Sequence, residues 1–200
     1  MDKQIIISIS REYGSGGHAI AEMLSKRFGI PLYDSNLLEI IATEKNVDKD
    51  SLKAYDEVPR VRLFSRRVKG QTNSLEENVA NLQFDFLKKK AAAGESFVVV
   101  GRCSESVLKD YSCMVSIFVL GNKEAKIKRI MGLYNLSEDD ALDKIERENF
   151  RRKMYHNYYC KGKWGDSRNY DLSINDSILG LDKTADIIEE YVRKRIELMA

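Results

Sequence analysis

The chain has 200 residues, enough for one ordinary domain, and its 33 Lys and Arg nearly balance 31 Asp and Glu to a formal charge of +2. A composition 43% hydrophobic and 32% charged, with only two prolines, excludes intrinsic disorder and collagen-like structure. The near-neutral charge argues against a nucleic-acid partner, and the longest apolar blocks, Ile5–Ile7 and Phe97–Val100, are strand-sized where a membrane span needs about 20 apolar residues.

Gln4–Ser10 reads as a buried first strand. It follows Lys3 as a signal peptide would, but Arg11 and Glu12 end the run short of the roughly 7–15 apolar residues that such a segment needs, so the chain is expected in the cytoplasm. Ile20, Met23, Leu24 and Phe28 then share one face of a helix that stops at Gly29. Pro31–Tyr33 is a short strand, and Asp34 or Ser35 caps a helix whose apolar face carries Leu37, Leu38 and Ile41. From 47 to 73 the pattern loosens around Pro59 and a basic cluster, Arg60, Arg62, Arg66, Arg67 and Lys69, the expected place of an inserted helical flap or a loop. A helix from Ser74 to Ala93, with Glu77 completing a capping box, leads through Gly94 to a strand at Phe97–Val100. A further strand, Met114–Leu120, precedes a helix from Lys123, and a Ser137-capped helix runs into a basic stretch around Arg151. Tyr170–Asn175 is the last strand. The final helix carries Ile187, Ile188, Tyr191, Val192 and Ile196 on its inner face. Strands alternating with helices predict an α/β fold with a mainly parallel sheet.

The first strand and helix are joined by Arg11-Glu12-Tyr13-Gly14-Ser15-Gly16-Gly17-His18. A glycine-rich turn at this place lets backbone N–H groups and the positive helix end cradle phosphate, while a tight turn that merely needs positive φ is the simpler reading. In the motif GxxxxGK[ST] a lysine reaches the phosphates and a hydroxyl holds magnesium, whereas here Gly17 and His18 stand at those positions. The backbone cradle survives and its cation does not. Cys103, Cys113 and Cys160 are odd in number and widely spaced with no CxxC pair, which argues against both a disulfide framework and a structural zinc site; reduced thiols are expected. His156 and Cys160 lie four apart on one helix, a spacing that suits a metal, yet two ligands do not make a site. Tyr155, Tyr158, Tyr159 and Trp164 alternate with basic residues, which suits either base stacking or packing of a connecting segment.

Four segments together, ISREYGSGGHAIAEMLSKRFGIPLYD, VVVGRCSE, RENFRRK and YYCKGKWGDSRNYDLSIN, resemble the cytidylate kinase-like family, a branch of the P-loop nucleoside monophosphate kinases. The resemblance spans nearly the whole chain. It implies a three-layer P-loop NTPase-like fold over residues 1–200, with an acceptor flap at 47–73 and a lid with its connection at 136–169. It also implies transfer of the ATP γ-phosphoryl, with Mg2+, to a small acceptor, nominally CMP or dCMP. By this resemblance Arg11, Gly14, Ser15, Gly16, Gly17 and His18 hold the donor phosphates, Asp34, Arg102 and Arg62 face the acceptor, and Arg147, Arg151, Arg152 and Lys153 close over the phosphates from the lid. Each has a plainer reading: Asp34 as a helix cap, Arg102 paired with Glu105, Arg11 paired with Glu12, His18 against water, and the lid cations as a solvated helix face beside Glu146 and Glu148. Two departures bear on the acceptor. Val100 and Cys103 stand where cytidylate kinases carry aspartates around the Gly-Arg step, and Ile40 stands where they carry an arginine for the acceptor phosphate.

Overall fold

In the computed structural model, residues 3–45, 56, 67–68, 71–72 and 75–199 are described. The elements run β1 (Ile6–Arg11), α1 (Gly17–Phe28), β2 (Leu32–Tyr33), α2 (Leu37–Lys45), β3 (Arg67–Val68), β4 (Gln71–Thr72), α3 (Leu75–Ala92), β5 (Phe97–Val100), α4 (Ser104–Val107), β6 (Met114–Leu120), α5 (Lys123–Tyr134), α6 (Glu138–Tyr159), β7 (Leu172–Asn175) and α7 (Asp176–Leu198). Five strands form one parallel sheet in the order β2-β5-β1-β6-β7, as the alternation predicts. β3 and β4 form a separate antiparallel pair inside the stretch read as a flap. Ser74, the expected cap of α3, and the flap residue Arg62 lie outside the described residues.

Period-two alternation in β1 feeds two cores. Ile5, Ile7 and Ile9 pack with Ile20, Leu24 and Phe28 of α1 and with Ile188 and Val192 of α7 on one face, while Ile6 joins Leu37, Leu38, Ile41, Phe86 and Leu87 on the other. Both faces are thus covered by helices, which is the three-layer arrangement that a buried parallel sheet requires. On the second face Ser8 and Ser10 replace isoleucine; Ser8 Oγ lies 2.7 Å from Ser104 Oγ, so the polar pair satisfies itself beneath α4.

Local details differ from the sequence reading in three places. Asn36, not Asp34 or Ser35, precedes α2, and its carbonyl accepts from Ile40 N; the Asp34 carboxylate accepts instead from Asn36 N at 2.9 Å in a turn. Ile187 is 40% exposed, because α7 turns Ala185, Ile188 and Val192 to the sheet and one 100° step carries Ile187 off that face. The α7 span is broken at Gly180, whose φ of 78° and ψ of 173° are not helical. Two other helix signals act as read. Gly29 ends α1 in the left-handed region while Ile30 N bonds to Ser25 O, and Ser137 Oγ accepts from Asp140 N at 3.2 Å to start α6.

Candidate active site

The loop between β1 and α1 opens at the C-terminal edge of the sheet, where open α/β sheets bind ligands. Gly14 and Gly16 adopt φ of 82° and 72°, conformations that L side chains rarely enter. Gly17 is glycine for another reason: a Cβ there would stand 2.7 Å from Arg11 Cβ, so the first turn of α1 packs directly on the end of β1. No side chain caps α1, which leaves its leading N–H groups directed at the cleft. Ser15 is fully buried and its hydroxyl donates to the carbonyls of Glu12 and Val119, at 2.9 and 3.0 Å, so its side chain braces the loop from beneath.

A cleft of about 710 Å³ runs from this loop toward β2 and β5. Arg11, Gly14, Gly16, Gly17, His18, Asp34, Arg102, Arg151 and Arg152 all line it, so most of the site residues expected from sequence converge on one space. Arg147 and Lys153 are exposed and do not line it, because α6 is one continuous helix and only the face carrying Arg152 turns inward. Arg152 Nη1 donates to the Arg11 carbonyl at 3.2 Å and its guanidinium stacks 5.2 Å from the Tyr13 ring. Arg151 pairs with Glu148 at 2.9 Å, so for this residue the ion-pair reading also holds. Asn149, one turn before Arg152, accepts from Tyr13 N at 2.6 Å, which docks α6 directly on the loop.

The plainer pairings dissolve at two positions. Glu12 binds Lys126 Nζ at 2.7 Å and accepts from Gly121 N at 3.3 Å, so it is occupied away from Arg11. Arg102, 3% exposed, donates to Asp56 at 2.8 Å and to the Asp34 carbonyl at 3.3 Å rather than to Glu105. Gly101, Arg102 and Cys103 all have positive φ, of 74°, 59° and 53°. Two consecutive non-glycine residues in that region store strain of order 1–3 kcal/mol each, and the backbone turn they make brings Arg102 to the lining of the cleft. His18 Nε2 stands 3.5 Å from Asp34 Oδ2, bringing the helix start and the β2 end together.

Sequence reasoning missed Arg129. From α5 it donates to the Gly14 carbonyl and, at 2.7 Å, to Asp176, which is fully buried. Burial pushes the Asp176 carboxyl up, and the Arg129 guanidinium pulls it back. A guanidinium is thereby held beside a loop that lacks its lysine. In the sequence Arg129 is one cation among several in KEAKIKRIMGLY, with nothing to separate it from a solvated helix face. The tyrosine and tryptophan segment serves packing: Trp164 meets Phe118 edge-on at 5.4 Å, Tyr170 packs on the same ring, and Tyr159 meets Phe84.

Behind the cleft, Glu105, His156 and Cys160 meet in the interior, with His156 Nε2 2.7 Å from Glu105 Oε1. Burial pulls the imidazole down, but its bonds to Cys160 and Glu105 and the Glu105 charge push it up to about 10. The Cys160 thiol is drawn down to about 6 by a hydrogen bond from Cys103, against burial and with help from His156.

A loop with an open helix start, an arginine face on a docked helix and a second strand end bearing Asp34 and Arg102 form the layout of a phosphoryl-transfer fold. The model of the Cytidylate kinase-like family matches residues 6–178. The chain belongs to this family. A solved structure of an uncharacterized protein from Eubacterium ventriosum is 38% identical, covering 95% of this chain and 99% of that one, with a TM-score of 0.76. Shikimate kinase from Bacteroides thetaiotaomicron, at 12% identity and covering 94% of this chain and 98% of that one, has a TM-score of 0.56. A gluconokinase from Sinorhizobium meliloti, also at 12% identity and covering 97% and 93%, has a TM-score of 0.52. These two show the shared P-loop kinase fold alone. None of the curated proteins compared matches the chain. Among the described residues no helix is long and apolar enough to cross a membrane.

Proposed function

We propose that this member of the cytidylate kinase-like family transfers the γ-phosphoryl of ATP to a small acceptor, nominally a nucleoside monophosphate such as CMP or dCMP. The observation that carries this reading is the convergence, on one cleft, of an uncapped helix start at Gly16–Ala19 with Arg152 and Arg129 at one end and Asp34 with Arg102 at the other. Phosphoryl transfer asks little covalent chemistry of a protein; catalysis lies in alignment and in neutralising the charge on the transferred group. The loop N–H groups would hold the donor phosphates. Arg152 would close over them, with residues 136–169 as the lid and 47–73, including Arg62, as the acceptor flap. Arg102 would grip acceptor oxygens. The hard carboxylate of Asp34, 15% exposed and facing the helix start, suits a magnesium-bearing triphosphate, and magnesium when bound would neutralise charge across the phosphates.

A second reading, a nucleotide sensor without turnover, is favoured by Gly17 at the lysine position and by the internal pairing of Arg102 with Asp56 and Arg129 with Asp176. A coupled assay of ATP consumption over a panel of nucleoside monophosphates and small alcohols separates the two. Acceptor-dependent ADP release supports the phosphotransferase; tight ATP binding with no acceptor-dependent release across the panel supports the sensor and overturns the first reading.

A further inference from the structure

The buried cluster behind the cleft has the parts of a metal centre that the phosphoryl-transfer reading does not use. A carboxylate oxygen of Glu105, an imidazole nitrogen of His156 and the Cys160 sulfur lie within 4.8 Å of one another. All three residues are at most 9% exposed. We propose that Glu105, His156 and Cys160 form a zinc site that clamps the C-terminal end of α6 to the start of α4.

The donor set decides the metal. One sulfur, an imidazole and one carboxylate, with a fourth place left for water, are borderline-soft ligands that suit tetrahedral Zn2+ and not Mg2+ or Ca2+, which take oxygen. In a tetrahedron with bonds of about 2.0–2.3 Å the donors stand roughly 3.3–3.8 Å apart. Cys160 Sγ lies 3.7 Å from Glu105 Oε1, within that span, and the 2.7 Å contact of His156 with the same oxygen needs only to open by about half an ångström. The outer shell is already built. Ser10 Oγ donates to Glu105 Oε2 at 3.2 Å, leaving Oε1 for the metal. His156 Nδ1 lies 3.3 Å from Asn157 Oδ1, which fixes the proton on Nδ1 and presents Nε2, and Asn157 is itself held by Trp164 N at 2.9 Å. A cavity of about 380 Å³, lined by Glu105, His156 and Cys160 and opening past Lys161 and Gly162, gives an entry path. One thiolate and one carboxylate around a dication leave no net charge, so the buried site needs no further counter-ion.

The connectivity gives the site a consequence. Glu105 lies three residues after Arg102, and His156 lies one turn after Arg152 on α6, so a bound ion would fix the two segments that carry both cleft arginines. Without an ion the same groups persist as an ion pair of His156 with Glu105, which is the competing account.

The test uses untagged full-length protein, stripped with a chelator and titrated with Zn2+, and in parallel with Co2+ as a spectroscopic probe. The expected result is one equivalent of Zn2+ per chain, a rise in melting temperature, no such response to Mg2+, and a cobalt complex with tetrahedral visible bands and a thiolate charge-transfer band. Cys160→Ser and His156→Gln, with folding checked by circular dichroism, should weaken Zn2+ binding by at least about 100-fold, beyond the 10–100-fold typical for loss of an outer-shell partner. Cys113→Ser, at a half-buried thiol in the other core cluster, should bind as the native chain does. Absence of the charge-transfer band in the native chain overturns the proposal whether or not the variants fold, and so does Zn2+ affinity unchanged in folded Cys160→Ser.

Discussion

Gly16→Ala tests the phosphate cradle most directly, because the cost of the added methyl can be divided. At φ +72° an L residue costs about 1–2 kcal/mol in the left-handed region. The new Cβ would also stand 2.3 Å from Leu181 Cδ2, 3.0 Å from Asp176 Oδ2 and 3.2 Å from Arg129 Cζ. Leu181 can swing away, but Asp176 and Arg129 are tied to each other at 2.7 Å, so relief needs that pair to shift, an overpacking cost of about 1–3 kcal/mol. The sum is about 2–5 kcal/mol. Gly29→Ala is the matched control: its φ is +64° and nothing lies within 4 Å of a Cβ, so it should cost only the backbone share of about 1–2 kcal/mol. Urea denaturation of both variants gives the two stabilities. Calorimetry with ATP and Mg2+, under conditions where each variant is folded, should then show Gly16→Ala weakened at least about tenfold, or 1.4 kcal/mol, and Gly29→Ala unchanged. Equal stabilities of the two variants would refute the packing argument; undiminished ATP affinity in folded Gly16→Ala would refute the cradle.

Arg152→Ala should lower kcat on the true acceptor by about 10²–10³ while changing ATP affinity little, the pattern of a group that acts on developing charge; a native kcat removes Arg152 from the mechanism. Arg147→Ala, at an exposed position outside the cleft, should leave kcat near native, and a loss as large as that of Arg152→Ala would show that α6 presents another face during turnover. Asp176→Asn takes the charge from a fully buried partner of Arg129 and should cost about 1–3 kcal/mol in denaturation together with part of the ATP affinity; an unchanged melting curve would show that the pair does not brace the loop. CMP turnover should be poor, with kcat/KM below about 10⁴ M⁻¹s⁻¹, because Ile40 is a half-buried residue of α2 and Val100 and Cys103 offer no carboxylate; robust CMP-dependent ADP release would defeat this expectation.

The sequence by itself determined the architecture and the loop. Alternating isoleucines in β1, the helical spacing of Ile20, Leu24 and Phe28 and the glycines at 14, 16 and 29 are local signals: each follows from side-chain period or backbone freedom within a few residues, and each acts in the fold as it reads. Charge partners are not local in this sense. Glu12 pairs with Lys126, 114 positions away, Arg129 reaches Asp176 across 47, and Glu105 meets His156 across 51; in the chain each has nearer oppositely charged or polar neighbours that would serve equally well. The same limit applies within α6, where Arg147, Arg151, Arg152 and Lys153 look alike as a basic run and only docking of the helix on Tyr13 separates those facing the cleft from those facing water. His156 and Cys160 are neighbours at the C-terminal end of α6 by sequence, but the further donor, Glu105, comes from α4, which follows β5 and which only the packed fold brings to them. Period and turn chemistry are written into short stretches of chain; which charges and ligands meet is set by burial, because a buried charge or donor must find its partner wherever the packed sheet has placed one.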